Sequence, residues 1–342
     1  QVKLMEPIVP ETVPWTSLLP SFKASNNWVL AGTRTSSGNA VLCNDPHLDV
    51  GRLPSIWQEI VMRVPDNYMM GVSVPGFPGL VIGRTKDVSW GTTFAYGDMI
   101  DFHVEHCRDG KYRRGTVWKP FTVREEVIKV KNGNPVIEKV YENELGVLEG
   151  KPAGECYLLV QNWAGAKGCG ADLFNASLEI LKAKTVSDMI RLFRGIEVFS
   201  LSQVVADRRG NIGYQMTGRQ FRRPKGVSGL LPVPAWDAKF EYKGFIDREQ
   251  FPTAMNPPEG FLITANNDLN HLGKSNPINL CMGAYRADRI SHLIRERKKV
   301  SIGDNKVIQY DLYSEQAAKF MEIIRPLLPR TRKAQMLSSW DC

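Results

Sequence analysis

The chain has 342 residues, of which 43% are hydrophobic and 23% are charged. These values are ordinary for a globular protein with a buried core, and they exclude a disordered chain. The formal net charge of +8 comes from 44 basic and 36 acidic residues. The basic residues form short, separated groups at 108–114, 219–225 and 295–299, so we predict no nucleic-acid-binding surface.

No stretch of the sequence is long and apolar enough to span a membrane, and no signal peptide is present. Because the chain opens at Gln1 and closes at Cys342, we interpret it as a piece of a longer product. The six cysteines include no Cys-x-x-Cys pair. They fit either buried thiols or one or two disulfides, and the sequence leaves both interpretations open.

The first 24 residues are rich in proline and have no sustained hydrophobic period, so we predict a spacer over 1–24 and a folded segment over 25–342. From Trp28 to about Phe174, short apolar runs between turn residues predict mainly strands. Asn132-Gly133 lies between two alternating runs and predicts a hairpin.

Later parts of the chain add helices to these strands. Thr185 is a suitable N-cap, and the apolar residues that follow it have helical spacing. This mixture predicts an α+β fold with stacked, mainly antiparallel sheets. The other predicted elements are strands over 203–206, 212–214 and 260–264, and helices near 284–298 and 305–326.

Ser25 begins the segment Ser-Asn-Asn-Trp-Val, and Asn-Asp-Pro-His follows at 44–47. Ser25 has no general base beside it and no Gly-x-Ser-x-Gly motif around it. It is suited to be a nucleophile if the chain is cut before it, because a free α-amino group titrates near pH ~8 and can take the proton of its own hydroxyl. The alternative interpretation is an ordinary serine at the start of a strand.

Other polar residues are candidates for the same site. His47 can donate a hydrogen bond to Ser25 Oγ, or it can have a structural role. Asn266 follows a predicted strand, where its amide can bind an oxyanion or complete a turn. Arg286 and Arg289 share a helix face, where a guanidinium can orient the asparagine or the freed amine, or form a surface ion pair.

Asp98 and Asp101 follow the strand-like segment Ser-Trp-Gly-Thr-Thr at 89–93. Two carboxylates on either side of a backbone carbonyl suit a hard cation such as Ca²⁺. The spacing is not that of an EF-hand, so solvated loop acids are the alternative interpretation.

A series of separated segments resembles the penicillin acylase family of N-terminal-nucleophile (Ntn) hydrolases, over nearly the whole length from Ser25 to about Pro329. The resemblance implies an Ntn-hydrolase four-layer αββα sandwich, only partly represented by this chain. The matching segments are, in order, 25–29, 44–47, 78–83, 89–93, 97–98, 210–214, 231–234, 265–267 and 285–290.

The resemblance also implies how the site forms and works. A precursor would cut itself between Ala24 and Ser25, so that 25–342 is the N-terminal part of a β-subunit that pairs with an α-subunit from the same precursor. The Ser25 hydroxyl would then attack an amide carbonyl and form an acyl-enzyme, with its own amine as the base. The Asn266 side chain and the backbone N–H of Phe94 would bind the oxyanion.

Further roles carry over by the same resemblance. His47 matches a position that is glutamine in penicillin G acylases and histidine in glutaryl and cephalosporin acylases. Arg289 matches the arginine that supports the asparagine and the amine. The matching acyl-pocket residues are Leu48, Ile82, Thr92 and Leu201. The matching residues of a structural calcium site are Asp98, Ile100 through its carbonyl, Asp101 and Gly229.

The resemblance therefore predicts an amidohydrolase that acts on a small-molecule amide in the periplasm or outside the cell. Leu48 and Ile82 replace aromatic residues of the family pocket, so we expect an apolar, aliphatic acyl group. The enzymatic alternatives are an acyl-homoserine lactone acylase and a cephalosporin-type acylase. The alternative of another class is a non-catalytic secreted binding module in which the Ala24–Ser25 bond stays intact.

Overall fold

The computed structural model describes residues 24–48, 56–77, 79–166 and 170–342. The predicted spacer therefore lies outside the described residues, except for Ala24 at its end. Pro78, which begins one of the segments that resemble the acylase family, also lies outside them. The described cysteines are all free thiols.

The first sheet has three strands and the second has seven, and neighbouring strands in both are antiparallel. The three-stranded sheet contains Ala24–Leu30 (β1), Val41–His47 (β2) and Phe261–Thr264 (β18), in the order β18-β1-β2. The strands of the seven-stranded sheet are Gln58–Val64 (β3), Asn67–Ser73 (β4), Ile82–Thr85 (β5), Val88–Phe94 (β6), Leu201–Asp207 (β14), Ile212–Met216 (β15) and Thr253–Met255 (β17). Their order is β17-β15-β14-β6-β5-β4-β3.

The third sheet has eight strands and a hydrophobic cluster of its own, which includes the buried side chains of Cys107, Phe121 and Val160. Its strands are Ile100–Arg108 (β7), Lys111–Arg114 (β8), Val117–Pro120 (β9), Thr122–Ile128 (β10), Val136–Glu142 (β11), Val147–Glu149 (β12), Glu155–Trp163 (β13) and Val233–Pro234 (β16). Seven of them run in the order β10-β11-β12-β13-β7-β8-β9, and β16 pairs with β7 in parallel.

Helices within the described residues lie against one side of each of the first two sheets. Their bounds are Gly170–Glu179 (α1), Val186–Arg194 (α2), Tyr285–Arg295 (α3), Ile302–Gln309 (α4), Glu315–Ile324 (α5) and Arg332–Ser338 (α6). Short 3₁₀ turns lie at Gly32–Arg34, Ile180–Lys182, Ala238–Phe240, Arg248–Gln250, Asn270–Leu272 and Arg325–Leu327.

Alternating side chains of β1 show how the layers stack. Trp28 and Leu30 pack against α3 and α4 in one buried cluster. Val29 points to the other face, where it packs against residues of β14 and β15 in the seven-stranded sheet. The far face of that sheet, with Trp90, packs against α1 and α2. The order is thus helices, sheet, sheet, helices, which confirms the predicted αββα arrangement.

The predicted local elements are largely confirmed. Thr185 caps α2, and its side chain and that of Asp188 form a capping box. The predicted hairpin is β10–β11, and the strand predicted over 260–264 is β18. The single helix predicted over 305–326 is wrong. It divides into α4 and α5 because Ser314 starts a new helix by accepting a hydrogen bond from the Ala317 N–H.

Candidate active site

The pairing of β1 with β18 brings Ser25 and Asn266 together. The strands are antiparallel, with Asn27 opposite Thr264, so the end of β18 lies beside the start of β1. The Ser25 N–H donates to Asn266 Oδ1 at 2.8 Å. Only 3% of Ser25 and 2% of Asn266 are exposed, so this contact is sheltered from water.

Asn266 also contacts Phe94, the residue whose backbone N–H is the other oxyanion donor implied by the family resemblance. The Asn266 backbone has a φ of 64°, a left-handed conformation that asparagine tolerates better than most residues. Its Nδ2 donates to the Phe94 carbonyl oxygen at 2.8 Å. The end of β6 therefore lies against the end of β18, next to Ser25. Asn266 Nδ2 carries two N–H groups, and this contact uses one of them.

Arg286 is the arginine that contacts this site. It donates to the backbone oxygens of Ser25 at 2.7 Å and Ala265 at 2.7 Å. It also donates to Oδ1 of Asn26 at 2.6 Å and to Oδ1 of Asn266 at 3.0 Å. Burial lowers the pKa of Arg286, because a guanidinium is poorly solvated there.

The assignment of this contact to Arg289 is wrong. Arg289 makes a bidentate pair with Asp311, at 2.9 and 2.8 Å, and its guanidinium lies 4.5 Å from the centre of the Tyr313 ring. Arg286 and Arg289 are three residues apart on α3, but only Arg286 reaches the ends of β1 and β18. The general expectation of a guanidinium beside the asparagine fits Arg286.

The interpretation in which His47 hydrogen-bonds Ser25 Oγ is also wrong, and a structural role for His47 is the other interpretation. In the β1–β2 pair, Ala24 is opposite His47 and Ser25 is opposite Pro46. Side chains alternate along a strand, so His47 and Ser25 point to opposite faces of this sheet. His47 is partly exposed and its Nε2 lies 2.9 Å from Asp45 Oδ2.

The hydroxyl of Ser25 lies next to the preceding peptide group. Ser25 Oγ donates to the Ala24 carbonyl oxygen at 2.6 Å. The group predicted to be the nucleophile is thus beside the carbonyl of the bond predicted to be cut.

A cavity of about 330 Å³ extends from Ser25 between the seven-stranded sheet and helices α1 and α2. The four predicted acyl-pocket residues, Leu48, Ile82, Thr92 and Leu201, all line it, and so does Phe94. The other lining side chains that are large and apolar include Ile56, Trp57, Val74, Phe77, Leu80, Val81, Trp90, Leu173, Ile180, Phe193, Ile196 and Phe199.

The polar groups of this cavity are few and engaged in hydrogen bonds. Thr92 Oγ1 lies 2.6 Å from Gln203 Oε1 and 3.0 Å from the Val81 carbonyl oxygen. Gln203 was missed from the sequence, although it is two residues from Leu201 on one strand and therefore on the same face. No lysine or arginine is among the described residues that line the cavity, so it suits an apolar group without a charge.

Three of the four residues predicted to bind calcium, Asp98, Asp101 and Gly229, come together around an arginine, and no contact of that arginine with the Ile100 carbonyl is seen among the described residues. Arg223 makes a bidentate pair with Asp101, with Nε–Oδ2 at 2.8 Å and Nη2–Oδ1 at 2.6 Å, and Nη2 donates to the Asp98 carbonyl oxygen at 3.0 Å. A Cβ at Gly229 would collide with the same guanidinium. Calcium needs six to eight oxygen ligands. The described residues do not fit that ion, because Arg223 stands among the expected donors. Nor do they hold any group of three acidic, histidine or cysteine side chains suited to a metal.

None of the helices that the structure describes is long and apolar enough to cross a membrane. The layered fold is the one expected of an Ntn hydrolase.

The penicillin amidase family model matches residues 3–342, and the chain belongs to this family. An acyl-homoserine lactone acylase (QuiP) of Pseudomonas aeruginosa is 32% identical over 317 residues, which are 86% of this chain and 36% of that protein. Penicillin acylase 2 proenzyme of a Pseudomonas species is 29% identical over 330 residues, covering 93% of this chain and 42% of that protein.

The comparison with solved structures supports the same fold. A thermostable penicillin G acylase from Alcaligenes faecalis superposes with a TM-score of 0.79, at 21% identity, over 92% of this chain and 59% of that one. At this identity the similarity shows the fold. The chain spans only about 36–42% of the length of the two curated relatives described above.

Proposed function

We propose that this chain is the nucleophile-bearing part of an acylase, an amidohydrolase that cleaves an apolar N-acyl amide through an acyl-enzyme on Ser25. The observation that carries the proposal is the position of Ser25. It lines an apolar cavity of about 330 Å³, while its nitrogen is 2.8 Å from Asn266 Oδ1. The acylase names of the relatives support the same chemistry.

We propose that self-cleavage frees the amine of Ser25. Ser25 Oγ attacks the Ala24 carbonyl carbon, the Ala24–Ser25 C–N bond breaks, and the acyl group passes to Oγ as an ester while the nitrogen gains a proton. Water then hydrolyses the ester and leaves a carboxylate on Ala24 and a free hydroxyl on Ser25. The 2.6 Å hydrogen bond between Ser25 Oγ and the Ala24 carbonyl oxygen supports this step. The segment before the cut would supply the α-subunit.

In the proposed reaction the free amine takes the proton from the Ser25 hydroxyl, and Oγ attacks the substrate carbonyl carbon. Asn266 Nδ2 and the backbone N–H of Phe94 stabilise the oxyanion. Collapse of this intermediate breaks the amide C–N bond, and the departing nitrogen takes the proton. Water then attacks the ester on Ser25 and releases the acid.

Arg286 would be a positioning residue in this reaction. It holds Asn266 through Oδ1 at 3.0 Å and Ser25 through its backbone oxygen at 2.7 Å. Its positive charge is close to the amine of Ser25, so it disfavours the protonated amine and lowers the pKa of that group. A larger fraction of the amine is then available as a base near neutral pH.

The lining of the cavity supports an aliphatic acyl group, including the acyl chains of acyl-homoserine lactones. Leu48, Ile82 and Leu201 are apolar, and Thr92 is hydrogen-bonded to protein groups. A glutaryl carboxylate would find no guanidinium among the described lining residues, which disfavours the cephalosporin-type alternative. We also propose a periplasmic or secreted location, as is common in this family.

The test is the denatured intact mass of the full-length gene product, compared with that of the Ser25→Ala variant. We expect the wild type to give two chains, one of which begins at Ser25, and the variant to stay whole. Amides with acyl chains of increasing length would then define the substrate. If the wild type also stays whole, the amine never forms and the non-catalytic binding module becomes the better interpretation.

A further inference from the structure

Two acidic residues, one in the loop between β6 and β7 and one at the start of β7, converge on one arginine. Asp98 lies in this loop, Asp101 is the second residue of β7, and Arg223 follows β15 by several residues. Arg223 and Asp101 form two parallel hydrogen bonds, at 2.8 and 2.6 Å. Asp101 is 1% exposed, so its carboxylate depends on protein groups in place of water.

Asp98 belongs to the same cluster. Arg223 Nη2 donates to the Asp98 carbonyl oxygen at 3.0 Å and lies 3.3 Å from its carboxylate oxygen Oδ2. The Ile100 N–H donates to the other carboxylate oxygen at 3.2 Å. Burial and the neighbouring Asp101 raise the pKa of Asp98, and Arg223 opposes that rise.

Two further residues close the cluster around the guanidinium. Tyr242 donates its hydroxyl proton to Asp101 Oδ2 at 2.5 Å. Gly229 lies so close to the Arg223 side chain that any Cβ there would collide with it. The space among Asp98, Asp101 and Gly229 is therefore filled by a group with a positive charge.

We propose that Arg223 is a built-in cation that replaces a calcium ion in this loop, so that the fold of this chain does not depend on calcium. A guanidinium matches a carboxylate through two parallel hydrogen bonds, and it binds through its own chain in place of an ion taken from solution. Both oxygens of Asp101 and the carbonyl of Asp98 already accept hydrogen bonds from it. A calcium ion would have to displace them all.

The loop that Arg223 holds begins at the end of β6, the strand that carries the proposed oxyanion donor Phe94. Phe94 ends β6, and two other contacts fix the residues that follow it. The Gly97 N–H donates to Ser200 Oγ at 2.9 Å, and the Asp98 N–H donates to Asn279 Oδ1 at 2.8 Å. Loss of Arg223 would therefore loosen the far end of this loop first.

The test is thermal unfolding of the full-length protein in EDTA and in millimolar CaCl₂. We expect the wild type to have the same Tm in both. We expect Arg223→Ala to lower the Tm in EDTA by on the order of 5–10 °C, because the buried carboxylate of Asp101 and the partly buried one of Asp98 lose their partner. Added CaCl₂ should restore part of that loss, since the vacated space is lined by oxygen atoms.

The matched control is Arg222→Ala, which removes a neighbouring exposed side chain that donates a hydrogen bond to the Phe245 carbonyl oxygen. It should leave both melting curves unchanged. Arg223→Lys keeps the charge but loses the paired hydrogen bonds. Its Tm in EDTA should therefore lie between those of the wild type and Arg223→Ala, and CaCl₂ should not raise it. It also serves if the alanine variant does not fold.

Two results would overturn the proposal. One is a wild-type Tm that rises in CaCl₂, with one calcium ion per protein by metal analysis after dialysis. The other is an Arg223→Ala variant as stable as the wild type in EDTA. These measurements do not require hydrolysis, so they stand apart from the test of the proposed function.

Discussion

Two partly buried arginines, Arg223 and Arg286, have opposite surroundings. Arg223 is paired with the carboxylates of Asp98 and Asp101. Arg286 is surrounded by neutral oxygens of the backbone and of Asn26 and Asn266, and no carboxylate among the described residues lies within ion-pair distance of it. The pKa of Arg223 is raised because Asp101 outweighs the effect of burial, whereas burial lowers the pKa of Arg286.

The difference teaches how a fold uses a buried charge. A neutralised guanidinium can tie two segments together, but it has little field left to act on other groups. A guanidinium that is solvated mainly by dipoles costs stability, and it keeps a positive field directed at its neighbours. We infer that Arg223 serves the fold and that Arg286 serves the Ser25 site.

The largest expected effect comes from removing Arg286. Arg286→Ala should lower kcat/KM by about 10²–10³-fold, because Asn266 loses a partner that fixes its amide. It should also move the acid limb of the pH profile of kcat/KM to higher pH. In the proposed enzyme a nearby positive charge disfavours the protonated amine of Ser25, so its removal favours that form and the basic amine appears only at higher pH.

Arg289→Ala is the matched control for this prediction. It removes a guanidinium from the same helix, but that guanidinium pairs with Asp311 and does not contact the Ser25 site. It should leave the pH profile in place. A loss of activity in Arg286→Ala with an unshifted pH profile would mean that the charge does not act on the amine.

A guanidinium placed in the acyl cavity would extend the comparison. Ile82→Arg should lower kcat/KM for a hexanoyl amide by about 10²-fold, because the new charge has no partner in the apolar lining. A glutaryl amide brings its own carboxylate and should be hydrolysed better by the variant than by the wild type. Ile82→Met, which keeps the cavity apolar, is the control. If kcat/KM falls by the same factor for the hexanoyl and the glutaryl amide, residue 82 does not contact the distal end of the acyl chain.

Loss of the charge that pairs with Arg223 should change the stability of the fold and leave the pH dependence of catalysis unchanged. Asp101→Asn removes the charge that neutralises Arg223, and it should lower the free energy of unfolding by about 3 kcal/mol. The pH profile of kcat/KM should stay unchanged in the folded fraction. Chemical denaturation and steady-state kinetics on one sample would separate the two effects. A shifted acid limb would show that this cluster also acts on the Ser25 amine.

Much of the site could be predicted because short local patterns mark its separate residues and the family resemblance joins them into one site. Ser25 with its two asparagines and Asn266 at a strand end are recognisable residue patterns, and in the structure Ser25 N lies 2.8 Å from Asn266 Oδ1. The four acyl-pocket residues also line one cavity with Ser25. Catalytic roles for these residues stay predictions.

The errors come from quantities that only packing determines. The β1–β2 register places Ala24 opposite His47, so His47 and Ser25 lie on opposite faces of the sheet. This register depends on the conformation of the connection between the strands, which the sequence pattern does not give. Helical spacing cannot tell Arg286 from Arg289, because the choice depends on how α3 lies across β1 and β18. Arg223 is 122 positions from Asp101, and no local pattern links them.

The smallest expected effect concerns Arg289, which gives the scale for a guanidinium near the surface. Its side chain is 24% exposed and that of Asp311 is 20% exposed, so the pair is partly solvated. Arg289→Ala should therefore lower the free energy of unfolding by about 0.5–1 kcal/mol at neutral pH.

The hydrogen bond from Arg289 lowers the pKa of Asp311. The stabilisation is thus present above the pKa that Asp311 has in the unfolded chain, and it is lost as the pH falls through the lower pKa of the folded state. Denaturant unfolding of wild type and variant at neutral and acidic pH should show the two curves converging in acid. A difference that persists in acid would show that Arg289 contributes mainly through its packing on the Tyr313 ring.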